Sequence, residues 1–137
     1  MVTIVVMAKT IWLDQPEEHD YPAAVDYLSL VLEPDQAKKL TNQLQQATTV
    51  TKKAKDILRA SRLQPLGSES VHVRNDLRKI HHGQGLSPVL LIRGDATRDL
   101  PLVIADGFHR ICAAHVLDED AEIPCRIVSS PKTPAKP

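Results

Sequence analysis

Residues 106–110, Asp-Gly-Phe-His-Arg, place side chains that can bind an anion and move a proton within one short stretch. The guanidinium of Arg110 is a planar fork that matches phosphate oxygens and stays charged near neutral pH. His109 can donate to an oxygen or transfer a proton, and Asp106 can orient it, cap a helix or hold a metal ion. The candidate catalytic residues are therefore His109 and Asp106, and the candidate ligand contacts in this turn are Gly107, Phe108, His109 and Arg110.

Apolar residues on both sides of this turn predict the elements that position it. The stretch PLVIAD (101–106) predicts a strand, and ICAAHVL (111–117) predicts a nearly buried helix that begins at about residue 107. The first turn of such a helix has free N–H groups and the positive end of the helix dipole, which favour an anion. Gly107 allows a positive φ or the close approach of a ligand. An anion site here requires Arg110 to face an open corner rather than to lie buried against carboxylates.

The rest of the chain predicts an α/β (α+β) fold with a small mixed sheet. Strands 88–94 and 101–106 are joined by a short polar connection, which favours an antiparallel hairpin, and 123–128 is a last strand. Helical spacing of apolar residues predicts four helices before the hairpin. They cover residues 20–32 with Asp20 as N-cap, 34–47, 52–62, and 70–82 with Ser70 as N-cap and Gly83 as stop signal.

The predicted elements divide the chain into four parts. Residues 1–19 form an extended N-terminal segment, with a short strand at Thr10–Leu13 and with Met7 as an alternative start. Residues 20–56 form a helical extension, and residues 57–128 form the domain that contains the turn. Residues 129–137, rich in Pro and polar residues, are expected to be a disordered tail.

Basic residues recur along one face of the predicted helix 52–62. Lys52, Lys55, Arg59 and Arg62 are spaced so that they share the face opposite the apolar stripe. This face is either solvated, or a cationic wall beside the phosphate site with Lys55 and Arg59 as ligand contacts, or a nucleic-acid contact. Aromatic residues make up only 3% of the chain, which does not support base stacking on single strands.

Length and composition limit the class of protein. The chain has 137 residues and zero net charge, and 42% of its residues are apolar, as expected of one globular domain. No apolar run approaches the roughly 18 residues of a membrane span, and no secretory signal is recognisable. Cys112 and Cys125 are too few for a disulfide framework and are predicted to pack as small apolar residues. We therefore expect a cytoplasmic protein without a membrane partner.

Three stretches together resemble a known family. GLSPVLLIR (85–93), ADGFHRICAAHVL (105–117) and IPCRIV (123–128) occur in the order and spacing of the ParB/sulfiredoxin-like fold, over roughly residues 57–128. The resemblance implies nucleotide binding at the turn, with Gly107, His109 and Arg110 on the phosphates and Asp106 at the edge. It also implies that ATP, ADP or CTP would be the ligand and would bring Mg²⁺.

The turn departs from each well-known branch of that family. Sulfiredoxins have a catalytic cysteine immediately before the His-Arg pair, where this chain has Phe108, so sulfinic-acid reduction is not expected. Chromosome-partitioning ParB proteins have Gly-Glu-Arg-Arg at the turn and continue into a helix-turn-helix region. The free-serine kinases of this fold have Asp-Gly-His-Thr-Arg, so His109 is shifted by one place relative to their histidine.

Three functional hypotheses follow from the sequence. The first is a nucleotide- or phosphate-binding protein that acts as a phosphotransferase or nucleotide hydrolase. The second is a non-catalytic regulatory module that keeps the turn and binds a protein partner through its N-terminal helices. The third is a DNA-binding or nuclease-like protein, which the basic helix 52–62 permits.

Overall fold

A four-stranded mixed sheet forms the centre of the computed structural model, which describes residues 9–131. The strands are β1 (Val50–Lys53), β2 (Val89–Arg93), β3 (Val103–Asp106) and β4 (Glu122–Ser129), in the order β1-β4-β2-β3. The central pair β2–β4 is parallel, whereas β1–β4 and the predicted hairpin β2–β3 are antiparallel. The predicted α/β class with a small mixed sheet is confirmed.

Five helices within the described range surround this sheet. They are α1 (Asp20–Leu28), α2 (Pro34–Gln46), α3 (Ala54–Ser61), α4 (Val71–His81) and α5 (Phe108–Leu117). The limits predicted for α4 are confirmed, because the Ser70 hydroxyl accepts a hydrogen bond from the Val73 N–H and Gly83 has a positive φ of 72°. A single 3₁₀ turn, Ala96–Arg98, lies in the connection of the hairpin.

Helix α1 differs from its prediction at both ends. His19 is the N-cap, so Asp20 lies inside the helix as its first residue. The helix ends at Leu28 instead of residue 32, and Ser29 turns its hydroxyl back to the carbonyls of Val25 and Asp26. Such back-bonding from a serine side chain competes with the continuation of a helix.

Strand β1 was not predicted, and it corrects the assignment of residues 52–62 to one helix. Val50 pairs with Cys125 and Lys53 with Glu122, so the backbone of β1 satisfies one edge of β4. Lys52 therefore lies on a strand and does not continue the basic face of α3. The segment 20–56 thus contributes a strand to the same sheet as residues 57–128.

Helices cover both faces of the sheet, so that β2 is buried on each side. Val89 and Leu91 belong to the apolar cluster that includes buried residues of α3, α4 and α5. Leu90 and Ile92 belong to a second cluster, with buried residues of α1 and α2. A strand with two buried faces is expected to be a continuous apolar run, and VLLI fits this expectation.

The N-terminal segment is attached to the first of these layers. Trp12 forms an isolated parallel bridge with Leu86, and the Leu86 N–H donates to the Ile11 carbonyl at 2.9 Å. The strand predicted at Thr10–Leu13 is reduced to this bridge. Met7, residues 1–8 in general and residues 132–137 of the predicted tail lie outside the described residues.

Buried small side chains fix α5 in the core. Ile111, Cys112, Ala113 and Ala114 are fully buried. Burial raises the pKa of the Cys112 thiol and raises that of Cys125 to about 11, so both stay protonated and pack as apolar groups. Across residues 9–131, every helix is too short or too polar to cross a membrane.

Candidate functional site

Gly107 forms the turn between β3 and α5. Its φ of 108° lies in the left-handed region, which confirms the positive φ expected there. A Cβ at this position would lie 2.5 Å from Cγ1 of Val89 and 2.9 Å from Nη2 of Arg110. Glycine is therefore required by the backbone and by close packing of the protein's own side chains.

The guanidinium of Arg110 is engaged by carboxylates of the protein itself. Its Nη2 donates to Oδ2 of Asp106 at 3.1 Å, and its Nη1 lies 3.9 Å from Oδ1 of Asp20. The side chains of Arg110 and Asp20 are only 17% and 3% exposed. The requirement that Arg110 face an open corner is not met, because the buried carboxylate of Asp20 and the partly buried carboxylate of Asp106 converge on its guanidinium.

Asp106 is held in this ion pair rather than beside His109. Burial raises the pKa of its carboxyl and the nearby Asp20 adds to that rise, whereas Arg110 opposes it. Among the contacts of residues 9–131, the Asp106 side chain accepts a hydrogen bond from Arg110 and none from His109. Within the described residues, no N–H of the first turn of α5 donates to this carboxylate, so Asp106 does not cap the helix. Asp106 thus positions Arg110.

The turn nevertheless borders an open space, which we call the polar pocket. This cavity of about 250 Å³ lies between the turn 106–110 and one face of α4. Helix α4 contributes His72, Asn75, Asp76 and Lys79 to its lining. The corner at the start of α5 is therefore accessible even though Arg110 itself is occupied.

Two histidines meet inside the polar pocket. The ring centroids of His72 and His109 are 4.7 Å apart, with an angle of 39° between the planes. Burial lowers the pKa of His109, and the neighbouring His72 and Arg110 lower it further, against an opposing effect of Asp76. His109 is therefore neutral near pH 7 and can donate one hydrogen bond or accept a proton.

Asp76 lies beside this pair on α4. Burial raises the pKa of its carboxyl, while Lys79, Arg110 and the two histidines oppose the rise. The Nζ of Lys79 lies 3.9 Å from Oδ1 of Asp76. A carboxyl group with a raised pKa next to histidines is typical of sites that transfer protons, and it is also found in structural clusters.

Sequence reasoning left Asp76 undistinguished from Glu69 and Asp56 as the base of a phosphotransfer, and it did not assign the rest of the α4 side, or Asp20, to the site. The signal for α4 was present: His72, Asp76 and Lys79 follow the helical spacing of four and three residues, beside the predicted apolar face. Asp20 gave no such signal, because its partner Arg110 is distant in the chain.

Lys55 and Arg59 are not brought to the pocket, contrary to the sequence-based expectation. The Nζ of Lys55 lies 2.6 Å from Oδ1 of Asp120, beyond the C-terminal end of α5 and thus away from the turn. The side chain of Arg59 is 86% exposed and its Nη2 lies 3.6 Å from Oδ1 of Asp56. The short acidic turn after α5 attracts Lys55, and α3 therefore cannot form a cationic wall beside the turn.

Two further observations concern ligands and relatives. No three His, Cys, Asp or Glu side chains within residues 9–131 are grouped so that they could hold a metal ion. Comparison with known proteins found no matching family model, curated protein or solved structure. The resemblance to the ParB/sulfiredoxin-like fold therefore stays a prediction.

Proposed function

We propose that this protein binds a small phosphate-bearing ligand in the polar pocket. The observation that supports the proposal is the convergence of His72, His109 and Lys79 on one cavity at the start of α5. The first-turn N–H groups of α5 lie at the same corner, where the helix dipole favours negative charge. A nucleotide is the form of ligand that the family resemblance implies.

In this proposal the residues of the turn have different roles from those that the sequence predicted for them. His109, His72 and Lys79 contact the phosphate, together with the backbone at Gly107 and Phe108. Arg110 contributes a positive potential but keeps its hydrogen bonds to Asp106 and to the Pro88 carbonyl. Arg110 and Asp106 are thus positioning residues, and Lys55 and Arg59 do not contact the ligand.

Turnover of the ligand would need a proton acceptor, and we assign Asp76 to this role. Its raised pKa, its position in the pocket and the adjacent His109 fit a role in phosphotransfer or nucleotide hydrolysis. A Mg²⁺ ion would be brought by ATP, ADP or CTP, and Asp76 and Asn75 line the pocket with side-chain oxygens of the kind that bind it, besides the Asp106 carboxylate that is paired with Arg110. Binding without turnover, with a protein partner on the N-terminal helices, is the alternative.

The charges on α3 favour a small ligand over nucleic acid. Lys55 pairs with Asp120 and Arg59 with Asp56. Arg62 pairs with Asp99. Because acidic side chains accompany these cations, the face offers little excess charge to a phosphate backbone, which binds mainly by neutralisation of its phosphates.

Thermal denaturation and calorimetry with ATP, ADP, CTP, GTP and inorganic phosphate, each with and without Mg²⁺, test this proposal. A ligand that binds only the folded protein raises the Tm, with about 2.7 kcal/mol of stabilisation at a hundredfold excess over Kd. His109→Asn and Lys79→Met should weaken binding at least tenfold, and Arg59→Met, on the surface, should leave it unchanged. Failure of all five ligands to bind would contradict the proposal, and release of product during incubation would distinguish an enzyme from a binding module.

A further inference from the structure

A second cavity adjoins the polar pocket at the turn, and we call it the apolar cavity. Its volume is about 370 Å³, and it shares Asp106, Gly107, Phe108 and His109 with the polar pocket. Its other walls come from α1, from the segment after α3 and from β3, through Ala23, Tyr27, Leu63, Ile104 and Ala105. The two cavities therefore meet along the same four residues.

The apolar cavity exposes large side chains that the fold does not cover. Tyr27 and Leu63 are each 45% exposed, although both line the cavity. Phe108 packs partly against the core and also lines the cavity. Apolar side chains in a cavity next to a few convergent polar groups are typical of a ligand-binding site.

The position of this surface relates it to the polar pocket. A phosphate at the start of α5 would lie beside His109, and its ester substituent would leave the polar pocket next to Phe108. A hydrocarbon or aromatic substituent that turned into the apolar cavity would cover Tyr27, Leu63 and Phe108 and remove their apolar surface from water. A substituent without apolar surface would gain no binding free energy from the apolar cavity.

We infer that the ligand is a phosphate monoester whose substituent is an apolar ring or a short hydrocarbon group, held by Tyr27, Leu63 and Phe108. The inference rests on the proposed function, because it takes the phosphate position from the polar pocket. A nucleobase fits less well. Apart from the shared turn, the Tyr27 hydroxyl is the one side-chain polar group among the residues that line the apolar cavity within the described range. The several hydrogen-bonding groups of a base would lose water there and would find only the Tyr27 hydroxyl beyond the side chains of the turn.

Calorimetry with four probes tests the inference: inorganic phosphate, methyl phosphate, phenyl phosphate and AMP. We expect phenyl phosphate to bind at least tenfold more tightly than methyl phosphate, because a ring buries more apolar area than a methyl group. AMP should bind no more tightly than methyl phosphate. Equal affinities for phenyl and methyl phosphate would overturn the inference and leave the proposed function intact, whereas binding of none of the probes would overturn the proposed function itself.

Variants of the lining residues, with a matched control, test whether the apolar cavity causes the preference for phenyl phosphate. Leu63→Ser and Tyr27→Ser should each reduce the preference for phenyl phosphate at least threefold, with the affinity for inorganic phosphate unchanged. Leu100→Ser is the control, since Leu100 is 47% exposed but does not line this cavity. Loss of the preference in the control variant as well, or tighter binding of AMP than of phenyl phosphate, would overturn the assignment of the apolar cavity.

Discussion

The sequence predicts that Arg110 binds a ligand, whereas in the fold its side chain has a structural role. Its guanidinium lies against Asp106 and near the deeply buried Asp20, and its Nε is buried without a hydrogen-bond partner among the described residues. Removal of one partner of a buried ion pair leaves an uncompensated charge, which costs more than the pair contributes. The residue is thus needed by two carboxylates before any ligand arrives.

We expect Arg110→Met to lower the free energy of unfolding by about 3 kcal/mol, because Asp106 would lose its ion pair and the buried Asp20 would lose the positive charge 3.9 Å from it. Arg59→Met removes a surface pair instead and should cost no more than about 0.5 kcal/mol. Urea denaturation followed by circular dichroism measures both. Similar losses in the two variants would contradict the structural role of Arg110.

A comparison of Gly107 with Gly83 distinguishes the energetic cost of a left-handed backbone from the cost of steric crowding by a Cβ. Both have a positive φ, but a Cβ at Gly83 would meet no atom within 4 Å, whereas one at Gly107 would lie 2.5 Å from Val89. We expect Gly83→Ala to cost about 1 kcal/mol from the left-handed backbone alone and Gly107→Ala about 3 kcal/mol or more. Urea midpoints of the two variants give the comparison, and equal values would show that Val89 yields to the new methyl group.

The paired imidazoles predict that anion binding strengthens as the pH falls. The lowered pKa of His109 means that it takes up a proton below its ordinary value of 6.5. A bound anion favours the protonated form, so the affinity should rise by up to about tenfold per pH unit below about 6.5. The raised pKa of Asp76 acts in the same direction, because protonation of its carboxylate removes a negative charge from the pocket.

Sulfate is the suitable probe for this pH dependence, since its own charge stays constant over the range. Calorimetric titrations between pH 5 and pH 8 should give a curve that His109→Asn flattens. The same lowered pKa predicts that, without ligand, the free energy of unfolding decreases as the pH drops through 6.5, because the unfolded chain binds the proton more readily. A sulfate affinity independent of pH in the parent protein would contradict the coupling.

At the scale of elements, local signals explain what the sequence predicted and what it did not. Helix α4 was predicted within a residue of its limits because Ser70 caps it and Gly83 ends it. Strand β1 was not predictable, because all four of its residues are exposed and no alternation of apolar and polar residues marks it. Its pairing with β4 satisfies backbone groups, which leave no trace in the pattern of side chains.

The junction between α2 and β1 is held by Arg126 of β4, whose side chain is buried. Its Nη1 donates to the Gln45 carbonyl at 2.8 Å and to the Tyr21 hydroxyl at 3.2 Å, and its Nε donates to the Thr49 hydroxyl at 3.3 Å. The carbonyls at the end of α2 are the negative end of the helix dipole, so a guanidinium satisfies them. Arg126 thus caps a helix from a neighbouring strand.

We expect Arg126→Met to lower the free energy of unfolding by about 2–4 kcal/mol, since the end of α2 loses several charge-assisted hydrogen bonds. Arg93→Met, at the exposed end of β2, is the matched control and should change it by less than about 0.5 kcal/mol. Hydrogen exchange of the α2 and β1 amides should accelerate in the first variant alone. Unchanged exchange there would contradict the capping role.

For the whole molecule, the two helical layers make the sheet dependent on residues from the N-terminal half. The class of fold was predictable because β2, β3 and α5 are marked by apolar runs and a glycine turn. The arrangement was not predictable: α1 and α2 bury one face of the sheet, and β1 closes one edge, through contacts between distant parts of the chain. Residues 20–56 are therefore integral to the fold in a manner that local patterns do not reveal.

This dependence predicts that a fragment of residues 57–137 does not fold alone. It would expose Leu90, Ile92 and Ala105 on one face of the sheet and leave the edge of β4 unpaired. The fragment should lack dispersed amide resonances and a cooperative thermal transition. Residues 9–131, made in the same way, should show both, and a cooperatively folding fragment 57–137 would contradict the prediction.

The bridge between Trp12 and Leu86 gives the protein a built-in optical reporter. Trp12 is the single tryptophan of the chain, and it packs against the core cluster that includes buried residues of α4 and α5. Detachment of the segment before α1 would transfer its indole to water, so a red shift of the emission spectrum would register that event without any label.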